Sequence, residues 1–338
     1  VIADLNAIVG DDRLVYLPQS ATNVHQAAAH VRQRLQDTLR IERTIKGVVL
    51  LGDYATVPSW KMVSTSVQGP NDAPPPPDRA FDEDLCWVWS DDLYGDRNGD
   101  RLAELPVSRV PITPNDGWLV GDRFLSLPEA VAVFGVRSHE FAFADCMFKL
   151  IESGAMEMAP PASADTVGVN DLEARRLYLV LHGKPNIKTL FRSKGGGEVV
   201  NYDLLASHAP TRGVVFAGVC WGALIANKAR AVARGESLDS RQTPDLAIAL
   251  AFLEFGVSAF IGFTALHHLP NNADDAALGS PLHALFWQHV VNGEPPALAL
   301  FNARHLYLDA VPSTLGESKV IAKHMKAYWS ATCLGLGW

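Results

Sequence analysis

Runs of apolar residues alternate along the chain with segments in which apolar residues recur every three or four positions. The apolar runs are typical of strands buried on both faces, and they lie at 47–53, 129–136, 176–183, 213–220 and 257–264. The periodic segments predict helices, and they lie at 21–43, 140–154, 223–235, 245–256 and 280–293. Strand and helix in alternation predict an α/β protein whose parallel sheet is covered on both faces.

The first third of the chain predicts a smaller α/β unit of its own. A short strand at 13–18 precedes the first helix, and a proline-rich segment at 69–79, which suits neither helix nor central strand, forms an exposed excursion. An acidic loop between two strands closes the unit. We therefore expect a smaller N-terminal subdomain at 1–125 and a larger subdomain at 126–338.

Polar residues follow four of the predicted strands of the larger part. These strands end at 137–140, at 182–183, at 219–220 and at 263–268. The carboxyl ends of parallel strands share one edge of the sheet, which is where open α/β sheets bind ligands. Glu140, His182 and Cys220 are thereby predicted to meet at that edge.

Cys220 stands at a predicted strand-to-helix junction. A helix N-terminus favours the thiolate, and a nearby histidine such as His182 can accept the thiol proton. The backbone amides of Gly183 and Cys220 suit an oxyanion site, because a residue without Cβ permits close approach of a carbonyl. This set predicts acyl transfer through a thioester, with His182 as general acid and base.

Two segments, "LYLVLHG" and "GVVFAGVC", resemble the clan of cysteine peptidases that contains caspases, legumain and gingipains. Two segments of the first third, "VVLLGDYATVPSW" and "SDDLYGDRNGDRLAELPVSRVP", are similar to the gingipain family within that clan. The resemblance implies a caspase-like three-layer α/β/α sandwich with a mostly parallel sheet, preceded by a smaller α/β subdomain. It also implies a cysteine endopeptidase.

Carried onto this chain, the resemblance makes Cys220 the nucleophile and His182 its acid–base partner, with oxyanion amides from Gly183 and Cys220. An acidic residue after the preceding strand supports the histidine in that family. Glu140 lies in the corresponding stretch, with His139 and Asp145 as alternatives.

The resemblance also implies a substrate pocket beside the nucleophile and beside the loop after the strand at 257–264. Its candidate lining residues are Trp221, Thr264, His267 and His268. That loop contains no tryptophan to form an aromatic wall, so no preference for arginine or lysine follows. The expected partners are a protein or peptide substrate and an activating partner or larger parent chain.

Two other interpretations stay open. The residues Gly218-Val-Cys220-Trp-Gly222 match a nucleophile elbow of dienelactone-type α/β-hydrolases, in which acid and histidine follow the nucleophile. Histidines that could serve there occur at positions 267, 268, 283, 289, 305 and 324. Alternatively, the same fold acts as a catalytically silent scaffold, which would need neither His182 nor Cys220.

The acidic loop at 96–104 predicts a structural calcium site. Asp96, Asn98 and Asp100 alternate along it, and Glu104 follows. Oxygen ligands at such spacing suit calcium, which accepts six to eight of them in flexible geometry. The loop is no EF-hand, because Arg101 stands where that motif requires glycine.

Composition excludes several function classes. The net charge of −8 and the pI of about 5.7 argue against nucleic-acid binding. No apolar stretch reaches the roughly 20 residues that a membrane-spanning helix needs. The four cysteines are too few and scattered for a disulfide framework or a zinc site. We expect a soluble protein, cytoplasmic or secreted.

Overall fold

The computed structural model describes most of the chain. The described residues are 24–52, 54, 57–63, 87–100, 102–111, 132–184, 187–207, 213–225, 247–270, 278–310 and 318–338. The predicted strand at 13–18 and the proline-rich segment at 69–79 lie outside them.

Thirteen strands and eight helices are present in the described residues. The strands are β1 Val48–Leu51, β2 Trp60–Val63, β3 Trp87–Ser90, β4 Val107–Val110, β5 Val133–Ser138, β6 Glu157–Ala159, β7 Arg176–Val180, β8 His182–Lys184, β9 Ile187–Arg192, β10 Glu198–Asn201, β11 Val214–Ala217, β12 Ala259–Phe263 and β13 Ala331–Gly335. The helices are α1 Val24–Ile41, α2 Phe143–Phe148, α3 Val169–Leu172, α4 Tyr202–Ala206, α5 Ile248–Glu254, α6 Ser280–Val291, α7 Pro296–Ala310 and α8 Ser318–Ser330.

Eight strands form one central sheet in the order β1-β4-β13-β12-β11-β7-β5-β6. Every neighbouring pair is parallel except β12 with β13. The prediction of a mostly parallel sheet is therefore confirmed. A two-stranded ribbon of β2 and β3 and a three-stranded sheet in the order β10-β9-β8 lie outside it.

Helices cover both faces of this sheet, because its central strands are apolar on both sides. In β7, Leu177 and Leu179 belong to the core beneath α5, whereas Tyr178 and Val180 belong to the core beneath α6, α7 and α8. Successive side chains of a strand point to opposite faces, so an uninterrupted apolar run supplies both cores. The three-layer α/β/α arrangement is confirmed.

The first third shares this sheet with the larger part. Strand β4 pairs with β13 near the end of the chain, with Arg109 opposite Leu334. A buried ion pair between Asp92 and Arg304, at 2.6 Å, joins the segment after β3 to α7. The predicted boundary at 125/126 falls between residues 112 and 131, outside the described residues, so the division into 1–125 and 126–338 stays a prediction.

One buried cation organises the carboxyl end of β4. The fully buried Arg109 guanidinium binds both carboxylate oxygens of Asp91 at 2.7 Å and donates to the carbonyl oxygens of Gly52 and Val57. It also lies over the Tyr54 ring, 4.8 Å from its centroid. A charge that leaves water needs such complete pairing.

No helix among the described residues combines the length and the apolar character that crossing a bilayer requires.

Replacing Arg109 with methionine should lower the free energy of unfolding by about 3–5 kcal/mol, because Asp91 is left as an unpaired buried charge. Urea denaturation followed by circular dichroism measures the change. The exposed Arg34→Met variant is the matched control and should stay within about 0.5 kcal/mol of wild type. Adding Asp91→Leu to Arg109→Met should recover part of the loss; a single-variant loss below about 1 kcal/mol would contradict the assignment.

Candidate functional site

Four adjacent parallel strands bring the predicted site residues to one edge of the sheet. Strands β12, β11, β7 and β5 lie side by side, and the chain leaves them just before His267, Cys220, His182 and Glu140 respectively. The shared edge follows from parallel pairing, in which all strands end on the same side.

His182 and Glu140 are in direct contact at this edge. The His182 Nε2–H donates to Glu140 Oε1, and the second carboxylate oxygen, Oε2, accepts the Ser138 hydroxyl at 2.7 Å. Burial raises the pKa of Glu140, but the hydrogen bonds from His182 and Ser138 outweigh it, so that pKa lies below the ordinary glutamate value. Glu140 is therefore a carboxylate at neutral pH, and it orients the imidazole so that Nδ1 is its other reactive nitrogen.

The two alternatives to Glu140, Asp145 and His139, make other contacts. Asp145 forms a two-point ion pair with Arg137, at 2.7 and 2.8 Å. His139 lies beside the same Glu140 carboxylate, with its Nδ1 3.3 Å from Oε2. Among the three, Glu140 is the residue in contact with His182.

Cys220 lies on a tight turn rather than at the start of a helix. Residues 220–223 form turns, and the Gly222 N–H donates to the Val219 carbonyl at 3.0 Å. The helix predicted over 223–235 does not begin within the described residues 213–225; positions 226–235 lie outside them. The predicted helix dipole at the thiol therefore stays a prediction.

The residues after β12 hold this turn in place. The Trp221 N–H donates to the Ala265 carbonyl at 2.9 Å, and Trp221 itself adopts a positive φ of 56°, uncommon for a residue with a Cβ. The Cys220 Sγ contacts the main chain of His267: the amide N–H donates to sulfur at 3.4 Å, and the thiol faces the carbonyl oxygen at 3.5 Å. The sulfur is thereby held between the ends of β11 and β12.

Gly183 packs directly on the backbone of Cys220. A Cβ added at Gly183 would overlap the Cys220 carbonyl oxygen and crowd the Val219 side chain. A glycine is required here for close approach of the two chain segments, and the oxyanion role of its amide stays a prediction. Its neighbour His182 belongs to β8, which pairs with β9.

A recess that opens to solvent adjoins Cys220. Its side chains are mostly apolar, with one lysine at the rim, and its lining comprises Gly183, Lys184, Leu190, Phe191, Cys220, Trp221, Gly222, Leu224, Ala247 and Ile248. Trp221 therefore lies where the pocket prediction placed it. The stretch at 192–200 belongs to the β9–β10 hairpin above the site, and Lys194 in the hairpin turn donates its N–H to Ser138 Oγ at 2.9 Å.

Two of the predicted pocket residues are core residues instead. Thr264 is 2% exposed and donates its hydroxyl to the Trp89 carbonyl at 2.5 Å. His267 is 4% exposed, and its ring stacks on Phe263 with centroids 3.4 Å apart. Neither side chain is open to a substrate in this structure, because the sheet edge turns them inward; His268 is half-buried in the same loop.

The nucleophile-elbow interpretation lacks support in the described residues. The positive φ belongs to Trp221 rather than to Cys220, whereas an α/β-hydrolase elbow places the nucleophile itself on the strained turn. Of the later histidines, His289 contacts a carboxylate, that of Glu294. It lies nine residues along α6, about 13 Å from the end nearest the site.

The acidic loop brings three of its four predicted metal ligands together. Oxygen atoms of Asp96, Asp100 and Glu104 lie within 4.8 Å of one another. Asn98 is directed otherwise: its side chain hydrogen-bonds the backbone N–H and the carboxylate of Asp100. Arg32 pairs with Asp96 at 2.5 Å, so the cluster keeps a net negative charge of about two.

Comparison with known proteins places the fold. No protein-family model and no curated protein matches the sequence. Among solved structures, the Arg-specific cysteine proteinase gingipain R is similar over 91% of this chain and 67% of its own, with a TM-score of 0.58 and 12% identity. The complex of Porphyromonas gingivalis RgpB pro- and mature domains is similar over 91% of this chain and 68% of its own, with a TM-score of 0.58 and 11% identity.

A third structure, described only as a protease, covers 95% of this chain and 70% of its own at a TM-score of 0.56 and 13% identity. This chain has the caspase-like fold. At these identities the likeness establishes the fold alone. The caspase-like sheet and its cysteine-proteinase neighbours make this a peptidase-like fold in the coarse sense.

Sequence reasoning missed three residues that support the site. Ser138 bridges Glu140 to the β9–β10 hairpin. The only feature of the sequence that pointed to it was its position in "RSHE", two residues before Glu140. Tyr178 and His283 lie buried beneath the loop after β12 and are hydrogen-bonded to each other at 2.8 Å. A tyrosine inside the apolar run at 176–183 was the one available sign of a polar partner in the core.

Replacing Gly183 with alanine should lower the free energy of unfolding by about 1–3 kcal/mol, because the new methyl group overlaps the Cys220 backbone. Chemical denaturation measures the change. Gly154→Ala is the matched control, since its Cβ would meet nothing closer than Glu152 Cγ at 3.8 Å. Equal stability of the two variants would show that the two chains do not approach so closely.

Proposed function

We propose that this protein is a cysteine endopeptidase of the gingipain type, acting through Cys220 and His182. The observation that carries the proposal is the contact of Glu140 with His182, which follows β7, the strand paired with the strand β11 that leads to Cys220. A histidine backed by a carboxylate next to a strand-end cysteine is the arrangement that nucleophilic catalysis requires. The fold of the cysteine-proteinase neighbours supports the same chemistry.

In the proposed reaction, His182 Nδ1 takes the thiol proton while Glu140 holds the opposite nitrogen. The Cys220 thiolate adds to the scissile carbonyl carbon, and the amides of Gly183 and Cys220 stabilise the oxyanion. The imidazolium then protonates the leaving amine, the C–N bond breaks and a thioester remains. Water, deprotonated by His182, adds to the thioester, and its collapse releases the carboxylic product and regenerates the thiol.

A peptide or protein is the proposed substrate, and the recess lined by Trp221 is the proposed site of one of its side chains. The solved complex of RgpB pro- and mature domains supports a search for a pro-segment or partner acting on this chain. Such a segment would belong to a larger parent chain or to a separate protein.

A fluorogenic peptide library, varied at the residue before the scissile bond, tests the proposal on the full chain with calcium present. We expect cleavage confined to one or a few residue types, abolished in Cys220→Ala. His182→Gln should lower kcat/KM by about 10²–10⁴-fold, the usual contribution of general acid–base catalysis. Cys146→Ala, which removes an exposed thiol on α2, is the matched control and should cleave like wild type.

The outcome that contradicts the proposal combines two observations. The library stays uncleaved by the folded protein, and Cys220 is alkylated at neutral pH no faster than the exposed Cys146. That result would favour the scaffold interpretation, because a scaffold needs no activated thiol.

We also propose that the acidic loop binds one structural calcium ion through Asp96, Asp100 and Glu104. Their clustered oxygens support the proposal, since calcium takes carboxylate ligands in flexible geometry. The ion would offset the mutual repulsion of the three carboxylates and stabilise the loop between β3 and β4.

Removing calcium with a chelator should then lower the melting temperature, and adding it back should restore the original value. Asp100→Asn should remove most of that calcium-dependent difference. Asp37→Asn makes the same charge change at an exposed position on α1 and serves as the control. Equal calcium responses in wild type and Asp100→Asn would argue against a site in this loop.

A further inference from the structure

The backbone of His267 is the closest described support of the Cys220 sulfur. Its amide N–H donates to Sγ at 3.4 Å, a normal distance for a hydrogen bond to sulfur. An N–H directed at sulfur stabilises the thiolate relative to the thiol, because the donor interacts most strongly with the negative charge. The reactivity of the thiol therefore depends in part on where this amide lies.

The ring of His267 sets the position of that amide. It is sandwiched in the core against Phe263, with an angle of 12° between the planes, and it is 4% exposed. The adjoining Ala265 carbonyl accepts the Trp221 N–H. Ring and carbonyl together fasten the loop after β12 to the turn that carries the nucleophile.

A chain of hydrogen bonds anchors the ring from below. His267 Nε2 meets His283 Nε2 at 2.9 Å, and His283 Nδ1 meets the Tyr178 hydroxyl at 2.8 Å. Burial lowers the pKa of His267 well below the ordinary histidine value and that of His283 to about 3. Both rings are therefore neutral. A neutral imidazole carries one N–H, so one Nε2 can donate to the other and each hydrogen bond of the chain has a donor and an acceptor.

Two glycines make room for these rings. A Cβ at Gly279 would collide with Cε1 of His267, and a Cβ at Gly218 would collide with Cε1 of His283. Gly218 lies only two residues before Cys220, so the second ring also packs directly beneath the nucleophile turn. The ring positions are built into the backbone on both sides of the site.

One feature is costly for a purely structural ring. His267 Nδ1 is buried and has no hydrogen-bond partner within the described part of the chain, and an unsatisfied buried nitrogen destabilises a fold. A phenylalanine would fill the same space without that cost. What it would lack is the hydrogen bond to His283.

We infer that His267 is a positioning residue for Cys220: its ring, anchored through His283 to Tyr178, holds its amide against the sulfur and so favours the thiolate. The inference rests on the proposed role of Cys220 as nucleophile. It assigns no proton transfer to the buried rings, which stay neutral. The proton acceptor remains His182.

The test measures the alkylation rate of Cys220 by iodoacetamide as a function of pH, resolved by mass spectrometry, in the full chain with calcium. His283→Phe keeps an aromatic ring but removes both hydrogen bonds of the chain. We expect a rate at pH 7 about three- to tenfold below wild type and a midpoint of the pH curve higher by about half a pH unit to one unit, the scale of one hydrogen bond. His182 and Lys184 on β8, and His268 beside His267, are titratable groups that these variants leave unchanged.

The matched control is His324→Phe. His324 is also buried and hydrogen-bonded to a tyrosine, with its Nδ1 2.6 Å from the Tyr307 hydroxyl, but its ring takes no part in the chain of hydrogen bonds from His267 to Tyr178. It should lose stability without moving the midpoint of the alkylation curve. Tyr178→Phe, which removes one hydroxyl at the end of the chain, is the milder second variant if His283→Phe does not fold, and it should shift the curve in the same direction by less.

Two negative results are distinguishable. If wild-type Cys220 is activated but neither His283→Phe nor Tyr178→Phe moves the midpoint, the rings are only structural and the inference is wrong. If wild-type Cys220 reacts no faster than Cys146, the proposed nucleophile itself is wrong, whatever the variants do.

Discussion

The parallel pairing of β7 with β11 is the constraint on which the candidate site depends. Its register runs from Val214 opposite Arg176 to Ala217 opposite Leu179. The chain leaves both strands at the same height, so His182 and Cys220 follow on one edge. A slip of one residue would turn every side chain to the opposite face, and the two apolar cores that clamp the sheet prevent it.

At this edge each proposed reactive group is held by a polar support from a neighbouring strand. The histidine is held by Glu140 after β5, which is itself held by Ser138 and, through it, by the β9–β10 hairpin. The cysteine is held by the loop after β12. Supports from separate strands position both groups at this edge, and the helix dipole that the strand-to-helix junction predicts stays a prediction, because positions 226–235 lie outside the described residues.

Local patterns predicted the strands well and the loops poorly. The strands β7, β11 and β12 lie within the apolar runs and β5 overlaps its run, because strands buried on both faces are mostly apolar. The hairpin at 187–201 was not predicted, because its glycine-rich turn resembles a loop in composition. The burial of Thr264 and His267 escaped because whether a strand-end side chain faces outwards or inwards depends on the elements packed above it.

The sequence by itself determined the fold class, the edge at which the chemistry would lie, and the residues proposed as nucleophile, base and carboxylate support. Periodicity and strand ends are local properties of the sequence. A short polar segment that follows a buried parallel strand lies at the edge of the sheet where the strands end. Only the tertiary structure decided which acidic residue touches His182, which histidines are core, and what the sulfur of Cys220 contacts. The contacts of Glu140 with His182 and of Cys220 with His267 join residues 42 and 47 positions apart, and only packing of the whole sheet brings them together.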